Sequence, residues 1–153
     1  DEQSWKSVDQ LLKMLIDSVS MGGNLLLNVG PTGRGEFDER AYDRLRGIGK
    51  WMKRHSRSIY GCTQAPLEFE CPKDCRLTYN PETQRLYVHM YSWPFGKLRL
   101  TGELAEHVEY IQILSDASEL LFSYNAEQRI VDIPLPIYKP MNADIPVLEI
   151  FLK

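Results

Sequence analysis

The sequence has few of the features that mark an unusual class of protein. Only three of its 153 residues are cysteines, and no Asn-x-Ser/Thr acceptor for N-linked glycans occurs. A dense disulfide framework is therefore excluded, and a glycosylated secreted or lysosomal protein is mildly disfavoured. No apolar run approaches the roughly 18 residues that span a bilayer, so we expect no membrane partner.

Positive and negative charges also nearly balance. The net charge is -3, which gives no reason to expect nucleic acid as a partner. With 43% hydrophobic and 25% charged residues, the composition is that of a soluble globular protein. The length allows one domain, or one domain and part of another.

The cysteines do not predict a metal site. Cys71 and Cys75 are separated by three residues, and no second Cys or His pair follows at zinc-finger spacing. A small disulfide loop and free thiols, including Cys62, both remain open. We expect neither a metal nor a cofactor.

The most informative stretch is residues 22–33, which join two helical patterns. Residues 24–29 are almost entirely apolar, as in a strand buried on both faces, and a loop rich in Gly and Pro follows. Helix, buried strand, loop and helix are typical of an α/β barrel or a doubly wound sheet. One such unit cannot close a barrel, so we expect the chain to be a piece of a larger protein.

Two helices flank this strand. Apolar residues at helical spacing, a capping box of Ser7 and Gln10, and a glycine stop predict a first helix over residues 7–21. The second begins with Asp38 as its cap and ends near His55. Its internal Gly47 and Gly49 predict close packing against a neighbour.

After Gly61 the pattern changes to short runs separated by turn residues. Residues 86, 88 and 90 alternate with 87, 89 and 91, which predicts a half-buried strand. Eight such strands suggest an antiparallel sandwich, with the boundary at residues 61–66. The predicted strands are residues 67–69, 76–79, 86–93, 97–101, 110–114, 119–124, 128–135 and 146–152.

No credible catalytic pair appears in the residues alone. The loop 30–37 lacks the Lys and Ser/Thr of a phosphate cradle. Asn28 stands at the carboxyl end of the apolar strand, where barrel site residues project, although a buried Asn more often satisfies loop backbone groups.

The remaining candidates favour structural roles. The three histidines, at 55, 89 and 107, lie in different elements, and neighbouring acids such as Asp116/Glu119 and Glu36/Asp38/Glu39 are explained by capping. Five aromatic residues would form a sugar platform only if they met on one surface, and core packing is the simpler interpretation. They are Tyr87, Tyr91, Trp93, Phe95 and Tyr110.

Four segments together resemble the family 29 glycoside hydrolases, the α-L-fucosidases. Residues 18–35 match the family's V-S-x-G-G-N-L-L-L-N-x-G-P-x-x-x-G block, residues 44–51 its R-L-x-x-I-G-x-W helix, and residues 58–62 its I-Y-G turn. Residues 1–7 are similar to its D-x-x-Y-K-S. One departure is Ser56, where relatives often have Gly; the helix there is either mildly strained or ends differently.

The resemblance implies a fold and an activity. The fold is the last helix-strand-helix of a (β/α)8-like barrel, residues 1–61, followed by a β-sandwich, residues 62–153. Family members remove terminal α-L-fucose with retention, using an Asp nucleophile and a second carboxylate. Those residues precede Asp1, so no catalytic residue is assigned here, and Asn28 is the one substrate-binding candidate.

The partners implied are the upstream catalytic barrel and a fucosylated glycan; an oligomer remains open. The alternative is a non-catalytic carbohydrate-binding or interaction sandwich that kept part of a barrel. It is disfavoured by the expectation that the first helix and strand need absent barrel neighbours to cover their apolar surfaces.

Overall fold

The computed structural model describes residues 6–23, 39–140 and 144–153. The predicted strand at 24–29, the loop at 30–37 and Asn28 lie outside these ranges. Within them the order is α1 (Val8–Ser20), α2 (Glu39–His55), a 3₁₀ turn (Ser56–Ser58), β1 (Thr63–Gln64), β2 (Cys75–Asn80), β3 (Arg85–Met90), β4 (Lys97–Thr101), α3 (Gly102–His107), β5 (Val108–Ile113), β6 (Ser123–Asn125), β7 (Ile130–Pro134) and β8 (Val147–Leu152). None of these described helices has the length and apolarity to cross a membrane.

The first helix has the ends that its sequence predicts. The Ser7 amide donates to Gln10 Oε1 at 2.8 Å and the Gln10 amide donates to Ser7 Oγ at 3.1 Å, which confirms the capping box. At the other end Gly22 has φ +84°, and the Gly23 amide donates to the Ser18 carbonyl at 2.8 Å. This is a Schellman motif, which needs a residue that tolerates a left-handed conformation.

The second helix ends at His55, as predicted. Ser56 opens the 3₁₀ turn, and the left-handed residue is Gly61, with φ +76°. Of the two alternatives for Ser56, the structure therefore has the one in which the helix ends differently.

The strands form two antiparallel sheets. The larger has the order β1-β2-β3-β8-β5 and the smaller the order β4-β7-β6. One face of the larger sheet and the smaller sheet share a core, with Leu86, Val88 and Ile150 from the first and Leu100 and Val131 from the second. The described part is thus mostly antiparallel sheet with a few helices.

The helices cover the other face of the larger sheet. Leu12 and Trp51 pack there against Tyr87 and Val147 in a second apolar cluster. The prediction that β3 is half-buried is therefore wrong, because Tyr87 and His89 are 2% and 0% exposed. Both faces of β3 are buried, one against the smaller sheet and the other against the helices.

Part of the apolar face of α1 is also covered within this chain. Leu12 and Ile16 are fully buried and Val19 is 6% exposed. The expectation that this face needs absent barrel neighbours is wrong for these three residues, since the larger sheet and α2 cover them; Leu11 and Leu15 are only partly buried, and for them it remains a prediction. The predicted strand at 24–29 is not described, so the expectation for it remains a prediction.

Most predicted strands are present, with four differences. Residues 67–69 form a turn, in which the Phe69 amide donates to the Pro66 carbonyl at 3.0 Å. Of residues 119–124, Glu119 makes an isolated bridge to Gln112 and only the end belongs to β6. The short helix α3 and the two-residue β1 were not predicted.

Candidate functional site

The five aromatic residues considered for a sugar platform do not meet on one surface. Tyr87 points to the helical layer, whereas Trp93 packs against the core between the sheets. Tyr110 contacts Phe151 edge-on, with ring centroids 5.1 Å apart, and Phe95 is 90% exposed. These five side chains therefore do not form a single sugar platform, and four of them have structural contacts instead.

Sequence reasoning missed a buried carboxylate at the centre of the helix-facing surface. Glu149 on β8 is fully buried; its Oε1 accepts from Arg57 Nη2 and Gln112 Nε2, each at 2.7 Å. Its Oε2 accepts from Tyr87 Oη at 2.9 Å. Burial and this bond to Glu149 raise the pKa of Tyr87, so its hydroxyl remains a donor.

This arrangement stabilises the fold and leaves no oxygen free for chemistry. A buried carboxylate is tolerated when a cation and further donors satisfy it. Because both oxygens of Glu149 are occupied and the side chain is inaccessible, a sugar cannot reach it. A carboxylate inside the apolar run of β8 is the sequence signal that would have located the cluster.

A second acid joins α1 to the sheet. Asp17 Oδ1 accepts from Tyr91 Oη at 2.7 Å and from Arg76 Nε at 2.9 Å. The Arg76 guanidinium also lies 4.9 Å from the centre of the Tyr91 ring. Burial, followed by the bond to Asp17, raises the pKa of Tyr91, so this contact too is structural.

Asp116, which was considered as a pair with Glu119, forms hydrogen bonds within its own loop. Asp116 Oδ1 accepts from the amide of Ser118 at 2.9 Å and from its hydroxyl at 2.6 Å. The hydroxyl bond is the main reason why the pKa of Asp116 is lowered, which makes it a poor general acid. Glu39 lies in the first turn of α2, whereas Glu36 and Asp38 lie outside the described residues.

Two of the three cysteines, Cys71 and Cys75, border a cleft of about 420 Å³ beside β4. All three thiols are free, which settles the alternative left open by the sequence. Burial raises the pKa of Cys75 to about 12 and that of Cys71 above its usual value, so neither is an activated nucleophile at neutral pH. Among the described residues no cluster of three or more His, Cys, Asp or Glu can hold a metal.

The structure brings together two histidines that the sequence placed in separate elements. The ring of His55 stacks on Trp51 with centroids 4.6 Å apart, and His89 lies 6.3 Å from the same indole. Both imidazoles are buried, at 1% and 0% exposed. The spacing of Trp51 and His55, four residues apart on α2, is the sequence signal for half of this cluster.

Comparison with known proteins shows a similarity to α-L-fucosidases. A family model described as alpha-L-fucosidase matches residues 1–57. Plasma alpha-L-fucosidase of Rattus norvegicus is 36% identical over 105 residues, which cover 65% of this chain and 23% of that protein. Tissue alpha-L-fucosidase of Bos taurus is 29% identical over 131 residues, covering 85% of this chain and 27% of that protein. The chain thus spans about a quarter of these relatives.

Solved structures give the same result over nearly the whole chain. Alpha-L-fucosidase isoenzyme 1 from Paenibacillus thiaminolyticus has a TM-score of 0.86 and 29% identity, covering 99% of this chain and 36% of that one. The Thermotoga maritima alpha-fucosidase has a TM-score of 0.77 and 26% identity, covering 99% of this chain and 35% of that one. The antiparallel sheets with few helices match domains of these enzymes, so the chain is similar to α-L-fucosidases both in sequence and in fold.

Proposed function

We propose that this chain is the C-terminal part of a retaining α-L-fucosidase, which hydrolyses terminal α-L-fucosyl linkages in glycoconjugates or oligosaccharides. The observation that carries the proposal is the likeness to the Paenibacillus enzyme, which covers 99% of this chain but 36% of that one. A segment of this size supplies the scaffold, and its partner is the upstream barrel of the same enzyme.

In this proposal the chain does not carry the catalytic pair. A retaining glycosidase needs two accessible carboxyl groups about 5 Å apart, one as nucleophile and one as acid and base. Glu149 is enclosed by three donors, and Asp17 and Asp116 are bound in structural contacts. The bonding of these three acids supports a scaffolding role, and in the proposal the nucleophile and the acid/base come from the upstream barrel.

We further propose that residues 1–61 end the barrel and residues 62–153 form the accessory sandwich. The match of the family model to residues 1–57 supports this division. In the structure α1 and α2 pack on the larger sheet, so the two parts share one apolar cluster. The sandwich would thereby fix the position of the last barrel helices.

Asn28 remains the candidate for substrate contact. It lies near the carboxyl end of the run of residues 24–29, a predicted strand, and barrel enzymes place site residues at that end. In the whole enzyme we expect Asn28→Ala to raise KM for a fucoside, because one hydrogen bond to the sugar is lost. Asn24→Ala, at the opposite end of the run, is the matched control. An unchanged KM and kcat in Asn28→Ala would contradict the assignment.

A non-catalytic sandwich module is the second candidate. The cover that the sheet provides for Leu12 and Ile16 favours it, since this chain can bury α1 without a barrel. The two candidates differ in what the longer protein does.

Hydrolysis of 4-nitrophenyl α-L-fucoside separates them. We expect no hydrolysis by the 153-residue chain and hydrolysis by the protein that also contains the upstream barrel. Activity of the short chain alone would contradict the non-catalytic role. A longer protein that binds fucosylated glycans without hydrolysing them would favour the module.

A further inference from the structure

We infer that His55 and His89 form a buried pair of neutral imidazoles that fastens α2 to the larger sheet, and that protonation of either ring in acid loosens this contact. The inference concerns the joint between the helices and the sandwich and does not depend on the proposed activity.

The hydrogen bonds fix the tautomer of each ring. His55 Nδ1 lies 2.7 Å from the carbonyl oxygen of Trp51, which can only accept, so Nδ1 carries the hydrogen. Thr78 Oγ1 donates to the Ser58 carbonyl at 2.7 Å, and it lies 2.9 Å from His89 Nε2. The Thr78 hydroxyl has used its hydrogen, so His89 Nε2 is the donor of this second bond.

The other nitrogen of each ring is consequently a bare acceptor. Among the described residues neither His55 Nε2 nor His89 Nδ1 has a hydrogen-bond partner, and both are buried. A proton that binds at either atom creates an imidazolium inside an apolar cluster without a hydrogen-bond acceptor for its new N–H. Such a charge is costly unless it is paired.

The surrounding groups do not stabilise that charge. Those in the same layer are Arg54 on α2, Arg57 in the 3₁₀ turn, Cys62 before β1, Thr78 on β2, Tyr87 on β3, Glu149 on β8 and Asp17 on α1. Arg54 repels a second cation, Glu149 is already bound by Arg57, and Asp17 is bound by Arg76. Cys62 and Tyr87 are neutral near pH 7, because burial raises their pKa values.

The direction of the pH effect follows from this environment. Burial, and then the neighbouring His55, lower the pKa of His89 to about 3; burial is also the main cause that lowers the pKa of His55. Above pH 6.5 both rings are neutral in the packed and in the open state, so the contact is fully stable. Below it the open state binds protons that the packed state excludes, and stability is lost as pH falls.

The test measures hydrogen exchange of the α2 amides at pH 7.5 and pH 5.0, corrected for the intrinsic exchange rate. If a ring has an ordinary pKa near 6.5 in the open state and is protonated only there, the equilibrium constant for opening is about 30-fold larger at pH 5.0 than at pH 7.5. Each variant, His55→Asn and His89→Gln, keeps the donated hydrogen bond and removes one titrating group. We expect each variant to lose the part of the pH effect that the replaced histidine contributes.

His107→Asn is the matched control. His107 Nδ1 lies 2.7 Å from the carbonyl of Glu103, four residues back, as His55 does from Trp51, but its side chain is 43% exposed. The His107→Asn variant should show the same pH effect as the unaltered protein. Protection of α2 that is equal at the two pH values in the unaltered protein, or a full pH effect in the double variant, would overturn the inference.

A second measurement does not depend on the variants folding. Ring ¹⁵N shifts of the unaltered protein should show His89 neutral at pH 5.0 with its hydrogen on Nε2, and His55 neutral at pH 7.5 with its hydrogen on Nδ1 and with a pKa below the ordinary value. Titration of all three histidines near pH 6.5 would contradict the pair.

Discussion

At the scale of single residues, Glu149 connects the segment after α2 to the sheet. Its carboxylate is buried, whereas the Arg57 side chain that binds it is 59% exposed. The cation is therefore partly hydrated in the folded state, while the anion depends on protein donors alone. Glu149 is the partner whose removal matters more.

We expect Glu149→Gln to lower the free energy of unfolding by about 2 kcal/mol or more. The amide keeps the size of the side chain but loses the charge, and its NH₂ group faces donors that need an acceptor. Asp132→Asn is the control, because Asp132 binds Arg99 at 2.8 Å on the surface, where ion pairs contribute little. Urea denaturation of both variants gives the comparison. Equal losses of unfolding free energy in the two variants would contradict the expectation that the buried carboxylate contributes more than the surface one.

The sequence could predict which residues alternate on β3 but not what covers each face. The alternation predicts a half-buried strand, because a local pattern does not reveal that both faces are covered. In the structure Tyr87 donates to Glu149 and His89 bonds to Thr78, which satisfies those atoms in a buried layer. The cover comes from helices about 40 to 80 residues earlier, beyond the reach of a local pattern.

At the scale of elements, two glycines on α2 have different surroundings. A Cβ at Gly47 would lie 2.5 Å from Val8 Cγ2 on α1, whereas no described atom lies within 4 Å of a Cβ at Gly49. The predicted close packing is confirmed for Gly47, against a side chain, and not for Gly49.

These surroundings predict opposite effects of the same substitution. Gly49→Ala should raise the free energy of unfolding by up to about 1 kcal/mol, because alanine favours the helix. Gly47→Ala gains the same propensity but crowds the stiff Val8, and overpacking costs about 1 to 3 kcal/mol. Thermal and urea unfolding of the two variants test this. Equal stabilisation by both would contradict the close contact between α1 and α2.

Elements with several agreeing signals were predicted well. The bounds of β4 are those predicted, and the capping box and glycines located both ends of α1. The strand predicted at residues 67–69 is absent because three residues are too few to establish a period, and Leu67 is 85% exposed. The six-residue α3 was missed since it begins at Gly102, which has φ +66° and resembles a turn in sequence.

At the scale of the whole molecule, the described part has three layers: helices, the larger sheet and the smaller sheet. Local patterns predicted two of them, because strand periodicity and turn residues indicate a sandwich. They did not predict that α1 would pack on that sandwich, since its apolar stripe fits any apolar surface. The resemblance to α-L-fucosidases came from sequence motifs, and no physical pattern in the residues alone indicated an activity.

The central claim is that this chain completes a retaining fucosidase whose nucleophile lies elsewhere in the protein. The most direct test treats the whole enzyme with 2-deoxy-2-fluoro-α-L-fucosyl fluoride, which traps a glycosyl-enzyme if the mechanism is retaining. Peptide mass mapping then locates the label. We predict one fucosyl adduct on an aspartate outside the 153 residues; an adduct within them, or an active enzyme that forms no adduct, would contradict the claim.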